Sequence, residues 1–351
     1  GTASGEEDGV ATAETVGAAA DGAPSAAAPA GESGRTADED AGSARAADEP
    51  AADGGQAPAD AVFASPGAQD PDVERVLFRF WGHIPYGAAR LPQAGERDGV
   101  RVIDVVPVER LQRTDRLPGW MQDRSPEQFI LNAGTAEVWT PTTVETYRSL
   151  QEEGFQTIGL GTLPDVYEPL ILEINGRKIG FLSLAGIIRN AEEIALKSRV
   201  GLARAYREDE VTAAVQNAKE QVDFLFVLID WGKQYDLAPN VSQQVIAAAI
   251  VRAGGDAVIG NRPFQAQEFT AIDGRPVFYS LGHSVSDKAP APSYNLIVEA
   301  EFSTQLDRLT VVVGKLTDEE LRFALTPEER MEAQAAYSDM ARSIDMLEVA
   351  W

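Results

Sequence analysis

Cysteine is absent from this 351-residue sequence, and histidine occurs only twice. The first absence removes disulfides but leaves the compartment open, since proteins on either side of a membrane can lack them. The second rules out, by counting alone, a two-metal centre rich in imidazole. Basic side chains are scarce as well: 30 Lys and Arg face 55 Asp and Glu, for a net charge of −25. That balance excludes sequence-independent binding of nucleic acid, whose affinity comes from neutralising phosphates. No run approaches the roughly 20 apolar residues that span a bilayer. No basic start followed by an apolar run marks a signal peptide either. The sequence is therefore expected to be a mature or trimmed product without a transmembrane segment.

Large apolar side chains are nearly missing from the first part of the chain. Gly1–Asp70 holds 23 Ala and 14 acidic residues against 2 basic ones, with no Leu, Ile, Tyr or Trp and a single Phe, Phe63. Such a segment cannot bury enough surface to offset the entropy of ordering its backbone. Frequent Gly and Pro oppose the alternative, an alanine-rich helix. Residues 1–72 are read as a disordered acidic tether, and 73–351 as one folded domain with its own core.

In that body, strand-like and helix-like segments alternate, which implies an α/β fold. Val76–Phe80, Val102–Val106 and Phe129–Leu131 read as short strands. Thr140 and Pro141 supply start chemistry for a helix that stops near Gly154. Leu170–Ile174 and Lys178–Leu184 flank Asn175-Gly176, a hairpin signal. A helix over Glu208–Gln221 leads to the wholly apolar run Phe224–Ile229, as in strands buried on both faces. Asn240 caps a second helix, Val241–Ala253. Strands follow at Ala257–Ile259, Val277–Ser280, Asn295–Phe302 and Leu309–Val313, and the segment from about Thr317 has helical spacing.

The stretch from Phe224 to Asp287 carries three landmarks: Asp230-Trp231-Gly232 at a strand end, Gly255-Asp256-Ala257-Val258-Ile259-Gly260-Asn261-Arg262-Pro263-Phe264, and Tyr279-Ser280-Leu281-Gly282-His283. In order and spacing this resembles the CapA family, the poly-γ-glutamate capsule biosynthesis type. A weaker likeness covers Ile130–Phe155, and Phe80-Trp81-Gly82-His83 sits where the family has a strand followed by Gly-Asp. The resemblance extends over about Glu74–Val313. It implies a calcineurin-like metallophosphatase sandwich of two packed mixed sheets, with helices outside and the site on loops at the strand ends.

That fold's chemistry needs Asp, Asn and His donors clustered to hold two metals that clamp an attacking and a leaving oxygen. This sequence departs from the family pattern at most of those positions. His83 replaces the first Asp. The Asn-His pair is Ala133-Gly134, although the preceding Asn132 survives. Asp230 stands for the His before Trp231. Asn261 and Arg262 replace two adjacent His, Phe264 replaces the third, and His283 replaces the Asn of the last motif. Glu109 is a poor stand-in for a missing Asn-Leu-Glu motif. Methyl, hydrogen and phenyl groups cannot ligate a metal, and a guanidinium repels one. The resemblance thus identifies a cleft formed by Gly82, His83, Asn132, Ala133, Gly134, Asp230, Trp231, Asn261, Arg262, Phe264 and His283, with no metal or other cofactor expected, and with Arg262 either paired to Asp230 in place of the metals or turned to solvent.

The resulting expectation is a non-catalytic accessory or scaffold in assembly or export of an extracellular polymer. It would work outside the cytoplasm, tethered at the cell surface by an anchor not present in this chain, beside polymer-synthesis or export membrane proteins. One alternative is a hydrolase of the same fold using His83, Asp230, Asn261 and His283 with a divalent metal. Another is a binding module in which Trp231, Arg262 and Phe264 offer stacking and an anion contact. A basic cluster, Lys197, Arg199, Arg204 and Arg207, is a candidate contact for an acidic polymer. Its nearby Glu192-Glu193 and Glu208-Asp209-Glu210 also suit an ordinary solvated face.

Overall fold

The computed structural model describes residues 73–85, 91, 99–109, 117–122, 124–135, 141–284, 294–317, 321–345 and 347–351. The chain divides into two units, Gly1–Gln56 and Ala57–Trp351, and everything described belongs to the second. The tether read at 1–72 and the cap read at Thr140 lie outside the described residues, as does the side chain of Glu109.

The first sheet starts with β1 (Val76–Phe80), β2 (Arg101–Glu109) and β3 (Phe129–Asn132), followed by α1 (Pro141–Glu152) and β4 (Gln156–Ile158). These four strands run parallel. The chain then builds a second sheet. Its opening hairpin joins β5 (Leu170–Ile174) to β6 (Arg177–Ala185), with Asn175 and Gly176 both at positive φ, as a two-residue turn of this hand demands. Next come α2 (Glu208–Lys219), β7 (Phe224–Asp230), α3 (Val241–Arg252), β8 (Ala257–Asn261), β9 (Phe269–Ile272) and β10 (Arg275–Phe278). The order across this sheet is β9-β10-β8-β7-β6-β5, and β6, β7, β8 and β10 are parallel.

The chain finally returns to the first sheet through β11 (Tyr294–Phe302) and β12 (Leu306–Leu316), then α4 (Pro327–Ala341) and β13 (Leu347–Ala350). β11 lies antiparallel to β1, and β12 antiparallel to β11. The final segment corrects the reading of a wholly helical C-terminus, because β13 pairs parallel with β12. Its Leu347 and Val349 pack against the main core while Glu348 and Ala350 are exposed, a period of two. Four residues are too few for that period to declare itself, so the neighbouring strand decides. β2 also runs past Val106 to Glu109, longer than the Val102–Val106 run read from the sequence.

The two sheets meet face to face through phenylalanine. Phe78, Phe80 and Phe302 from the first interlock with Phe181, Phe224 and Phe226 from the second. Ring centroids lie 4.7 Å apart for Phe80–Phe226 and 5.0 Å apart for both Phe78–Phe181 and Phe224–Phe302. Alternation along β7 explains its unbroken apolar run. Phe224, Phe226 and Leu228 face this seam, whereas Leu225, Val227 and Ile229 face α2 and α3. On α2 the buried Val211, Ala214, Val215 and Ala218 fall at helical spacing, and on α3 Asn240 and Gln243 cap each other.

Two buried polar devices hold strands in register. Arg79 on β1 lies opposite both Glu299 and Asp104, and donates to Glu299 at 2.9 Å. Asp256 accepts from Lys219 Nζ at 2.6 Å and from Leu225 N at 2.8 Å, and pairs with Arg275 at 3.1 Å. It thereby ties the end of α2 to the starts of β7 and β10.

Phe226→Ala is expected to lower the unfolding free energy by about 3–5 kcal/mol, the usual cost of emptying a phenylalanine site. Urea titration with an unchanged m-value checks it. A second expectation concerns α4, whose start is a capping box of Thr326 and Glu329. The Thr326 N–H, then the Arg322 guanidinium, hold the Glu329 carboxyl down at about 2. A folded value below the unfolded one gives stabilisation that is complete above the ordinary carboxylate range and disappears as pH falls toward 2. The Tm difference between wild type and Glu329→Gln should therefore be constant near neutrality and shrink below about pH 4.5. A constant difference down to pH 2 would contradict it.

Candidate functional site

Parallel strands that end together deliver their last residues to one rim. Asp230 closes β7 and Asn261 closes β8, and the two are register partners. Asn132 closes β3, and Trp81, Gly82 and His83 follow β1. The segment after β10 brings Tyr279–His283 to the same edge. There His83 N–H donates to Gly282 O at 2.8 Å, and Ser284 N–H donates to His83 O at 3.0 Å. This short bridge fastens the end of β1 to the segment that leaves the second sheet. Glycine is required on both sides: a Cβ on Gly82 would lie 2.3 Å from Gly282 O, and Gly282 has φ +79°.

Around the bridge the structure gathers three rings. Phe264 stacks on His283 with centroids 4.4 Å apart, His83 lies 5.0 Å from Phe264, and the two imidazoles are 5.6 Å apart and nearly parallel. Tyr235 meets Phe264 edge-on. Beside them Arg262 Nη1 stands 3.1 Å from Asp230 Oδ2, with both side chains largely withdrawn from solvent. Of the two placements open for Arg262, the ion pair is the one formed. Its loop is held in an unusual conformation, with φ of 97° at Arg262 and 63° at Phe264. Each such non-glycine residue costs on the order of 1–3 kcal/mol. The Tyr235 N–H donates to the intervening Pro263 O at 2.6 Å and helps to fix the turn.

On the far side of the rim, Asn132 is committed internally. Its Oδ1 accepts from Ser183 Oγ at 2.7 Å and from the Gly134 N–H at 3.0 Å. Gly134 has no space for any side chain, since a Cβ there would be 2.3 Å from Ser183 Oγ. Gly159 presses from the opposite direction, 2.3 Å from the Gly134 nitrogen by the same measure. Ser183 and Gly159 thus shape this corner. Reading the sequence missed them, because the contact joins elements far apart in the chain and neither residue belongs to a motif.

Trp231 turns to the helix side of the second sheet. Its Nε1 donates to Tyr279 O at 2.8 Å, and its ring stacks on Tyr279. The three residues offered for ligand stacking therefore have separate partners: Trp231 has Tyr279, Phe264 has His283, and Arg262 has Asp230. Two buried acceptors, Asn261 Oδ1 and Ser284 Oγ, have no hydrogen-bond partner among the described residues. Also among the described residues, no three of His, Asp and Glu gather closely enough to hold a metal ion. A methyl at Ala133, a hydrogen at Gly134, a guanidinium at Arg262 and a phenyl at Phe264 do not fit a pair of divalent cations.

Within the basic cluster the guanidinium groups find local partners. Arg204 pairs with Glu210, and Arg207 pairs with Asp209 at 2.9 Å. Arg199 donates to the carbonyls of Ala191 and Ile194. Lys197 is exposed.

An α/β sandwich of two mixed sheets, with its site at converging strand ends, is the class this architecture defines. Residues 140–288 match the family of bacterial capsule synthesis protein PGA_cap. The capsule biosynthesis protein CapA of Bacillus anthracis is 28% identical over 151 residues, 42% of this chain and 36% of that protein. The PGA biosynthesis protein CapA of Bacillus subtilis (strain 168) is 35% identical over 74 residues, 21% of this chain and 20% of that protein. Residues 140–288 are thus similar to the capsule synthesis family and its CapA proteins. The chain spans about a third and a fifth of the length of those two relatives. Among solved structures, the NAD nucleotidase NadN of Haemophilus influenzae overlaps 79% of this chain and 57% of its own, with TM-score 0.35 and 12% identity.

Removing the guanidinium would leave the Asp230 carboxylate, 3% exposed, without its cation. Arg262→Ala is expected to cost about 3–5 kcal/mol by that route. Arg262→Gly should cost less, because glycine adopts φ near 97° without strain. Paired denaturation curves test the order. A glycine variant less stable than the alanine variant would count against strain at this position.

Proposed function

We propose that this CapA-like chain is a non-catalytic accessory or scaffold in the assembly or export of an extracellular polymer, and that it works without a metal. The observation that carries the reading is the Arg262–Asp230 ion pair. A protein cation sits against the carboxylate that a divalent ion would need, in a cleft where Ala133, Gly134 and Phe264 offer only carbon or hydrogen. With the carboxylate compensated internally, a second cation there gains little and is repelled by the first. The acidic polymer and the polymer-synthesis or export proteins are the partners proposed, with the chain held outside the cytoplasm at the cell surface.

A second reading has one observation in its favour. The buried Asn261 Oδ1 lacks a partner among the described residues, as an acceptor awaiting a ligand would. In that reading His83, Asp230, Asn261 and His283 serve a hydrolase with an altered site and a divalent metal.

One preparation separates the two. Purified protein is assayed for metals by elemental analysis, then for turnover of p-nitrophenyl phosphate and of a γ-glutamyl peptide with added Mn²⁺ or Zn²⁺. The scaffold reading expects no stoichiometric metal and no metal-dependent turnover. Two bound metals per chain, or turnover abolished by Asn261→Ala, would replace it with the hydrolase.

A further inference from the structure

The helix α3 is apolar on both sides. Inward, Ile246, Ala247, Ile250 and Val251 are buried. Outward, Val241, Val245 and Ala248 follow one another at spacings of four and three, on the opposite face. Val241 is 74% exposed and Val245 43%, while Ala248 is half-buried. A surface helix ordinarily turns charged or polar side chains to water there. Tyr235 and Leu237 precede the helix, so residues 235–245 hold four of the eight exposed large apolar side chains among the described residues. Scattered exposed apolar groups need no explanation, whereas a cluster marks an interaction face.

This cluster is fixed in place. Gln267 Nε2 donates to Asp236 O at 3.0 Å and to Ala238 O at 2.9 Å. The Tyr235 N–H donates to Pro263 O, and Asn240 and Gln243 cap each other. Leu237, 73% exposed, is therefore held outward by its own framework, which lowers the ordering cost of any association.

Charge narrows the occupant. The chain carries 55 acidic residues, yet none occurs from Leu237 to Gly255. The neighbouring α2 exposes Ala213, Gln216 and Asn217 in its middle, which are neutral as well. The cations at the margin are matched: Arg252 with Glu208 at 2.7 Å, and Lys233 with Asp236 at 4.0 Å. An anionic lipid surface therefore finds no excess positive charge here. Two copies of so acidic a chain repel each other, and a neutral apolar face lets them meet without that cost.

The stripe also matches itself. Spacings of four and three let the side chains of a facing helix interlock, and Ala248 is small enough for close approach. In an antiparallel register centred on Val245, each Val241 lies near the other copy's Ala248, and the helix dipoles oppose. A footprint two helices wide and three turns long, roughly 20 Å by 18 Å, is at the small end of specific interfaces, so the association is weak.

We propose that the α2–α3 face joins two copies of this chain in a weak two-fold dimer, with α3 antiparallel to its counterpart and Val245 at the axis. The inference is independent of the proposed function, since a scaffold and a hydrolase could both carry it.

Sedimentation velocity of the full chain in moderate salt, from about 1 μM to about 300 μM, tests it. A monomer–dimer equilibrium with a dissociation constant of roughly 10–100 μM is expected. Val245→Glu and Val245→Lys each set like charges against one another at the axis, and each should weaken the dimer about tenfold or more. Mixed in equal amounts, the two variants should associate again, because Glu then faces Lys. Contact of residue 245 with its own copy predicts that rescue, and contact with another partner does not. Met331→Glu, on an exposed apolar residue of α4, should change nothing. Glu and Lys both suit an exposed helix position, and unchanged circular dichroism shows that the variants fold. A dimer indifferent to both substitutions at Val245, or no rescue in the mixture, would overturn the proposal. So would a monomer at every concentration, and flotation of that monomer with phosphatidylcholine vesicles would give the face to a bilayer instead.

Discussion

Because Phe78, Phe80 and Phe302 interdigitate with Phe181, Phe224 and Phe226, the two sheets cannot slide or rotate independently. A one-residue slip of β7 would send Phe226 toward the helices and Val227 into the seam. The seam therefore fixes where β1, β7 and β8 end, and with them the positions of His83, Asp230 and Asn261. This constraint is indifferent to the chemistry at the rim. Side chains there can change from ligating to non-ligating without loosening the framework that presents them. Such decoupling lets the rim's side chains vary on one framework.

The rim still needs stabilising on its own account. Two left-handed non-glycine residues flank Pro263, and one of them brings a charge into a buried corner. An isolated guanidinium there would be costly, and so would an isolated Asp230 carboxylate. Together they offset each other, and the stack of Phe264 on His283 fixes the adjoining residue. Strain, charge and ring stacking are thus one arrangement. None of the three would be stable in that position without the others.

How much of this could be read from residue order depends on range. Local rules placed Asn175-Gly176 in its turn, Asn240 at its cap and the apolar run of β7 between two layers. The family likeness raised the Arg262–Asp230 pair as one of two placements, and only the structure decides for it. What stayed hidden was long-range and lacked periodicity. Ser183 enters the site only because β6 passes beneath Asn132, and β13 is a strand only because β12 offers it an edge. The bridge between His83 and His283 was equally invisible, since backbone contacts between distant segments leave no trace in side-chain type. Trp231 shows the converse: its place in a motif suggested the cleft, yet its N–H is satisfied by Tyr279 on the helix side.

Charge distribution narrows what the surface can attract. A net charge of −25 repels polyanions at a distance, and salt weakens that repulsion without reversing it. Clustered arginines would need an outward local field to overcome it, but Arg204 and Arg207 direct their charges to Glu210 and Asp209. A polyanion at such a surface would have to be held by short-range geometry. For an acidic chain of this fold, burial of the contact matters more than the number of basic residues near it.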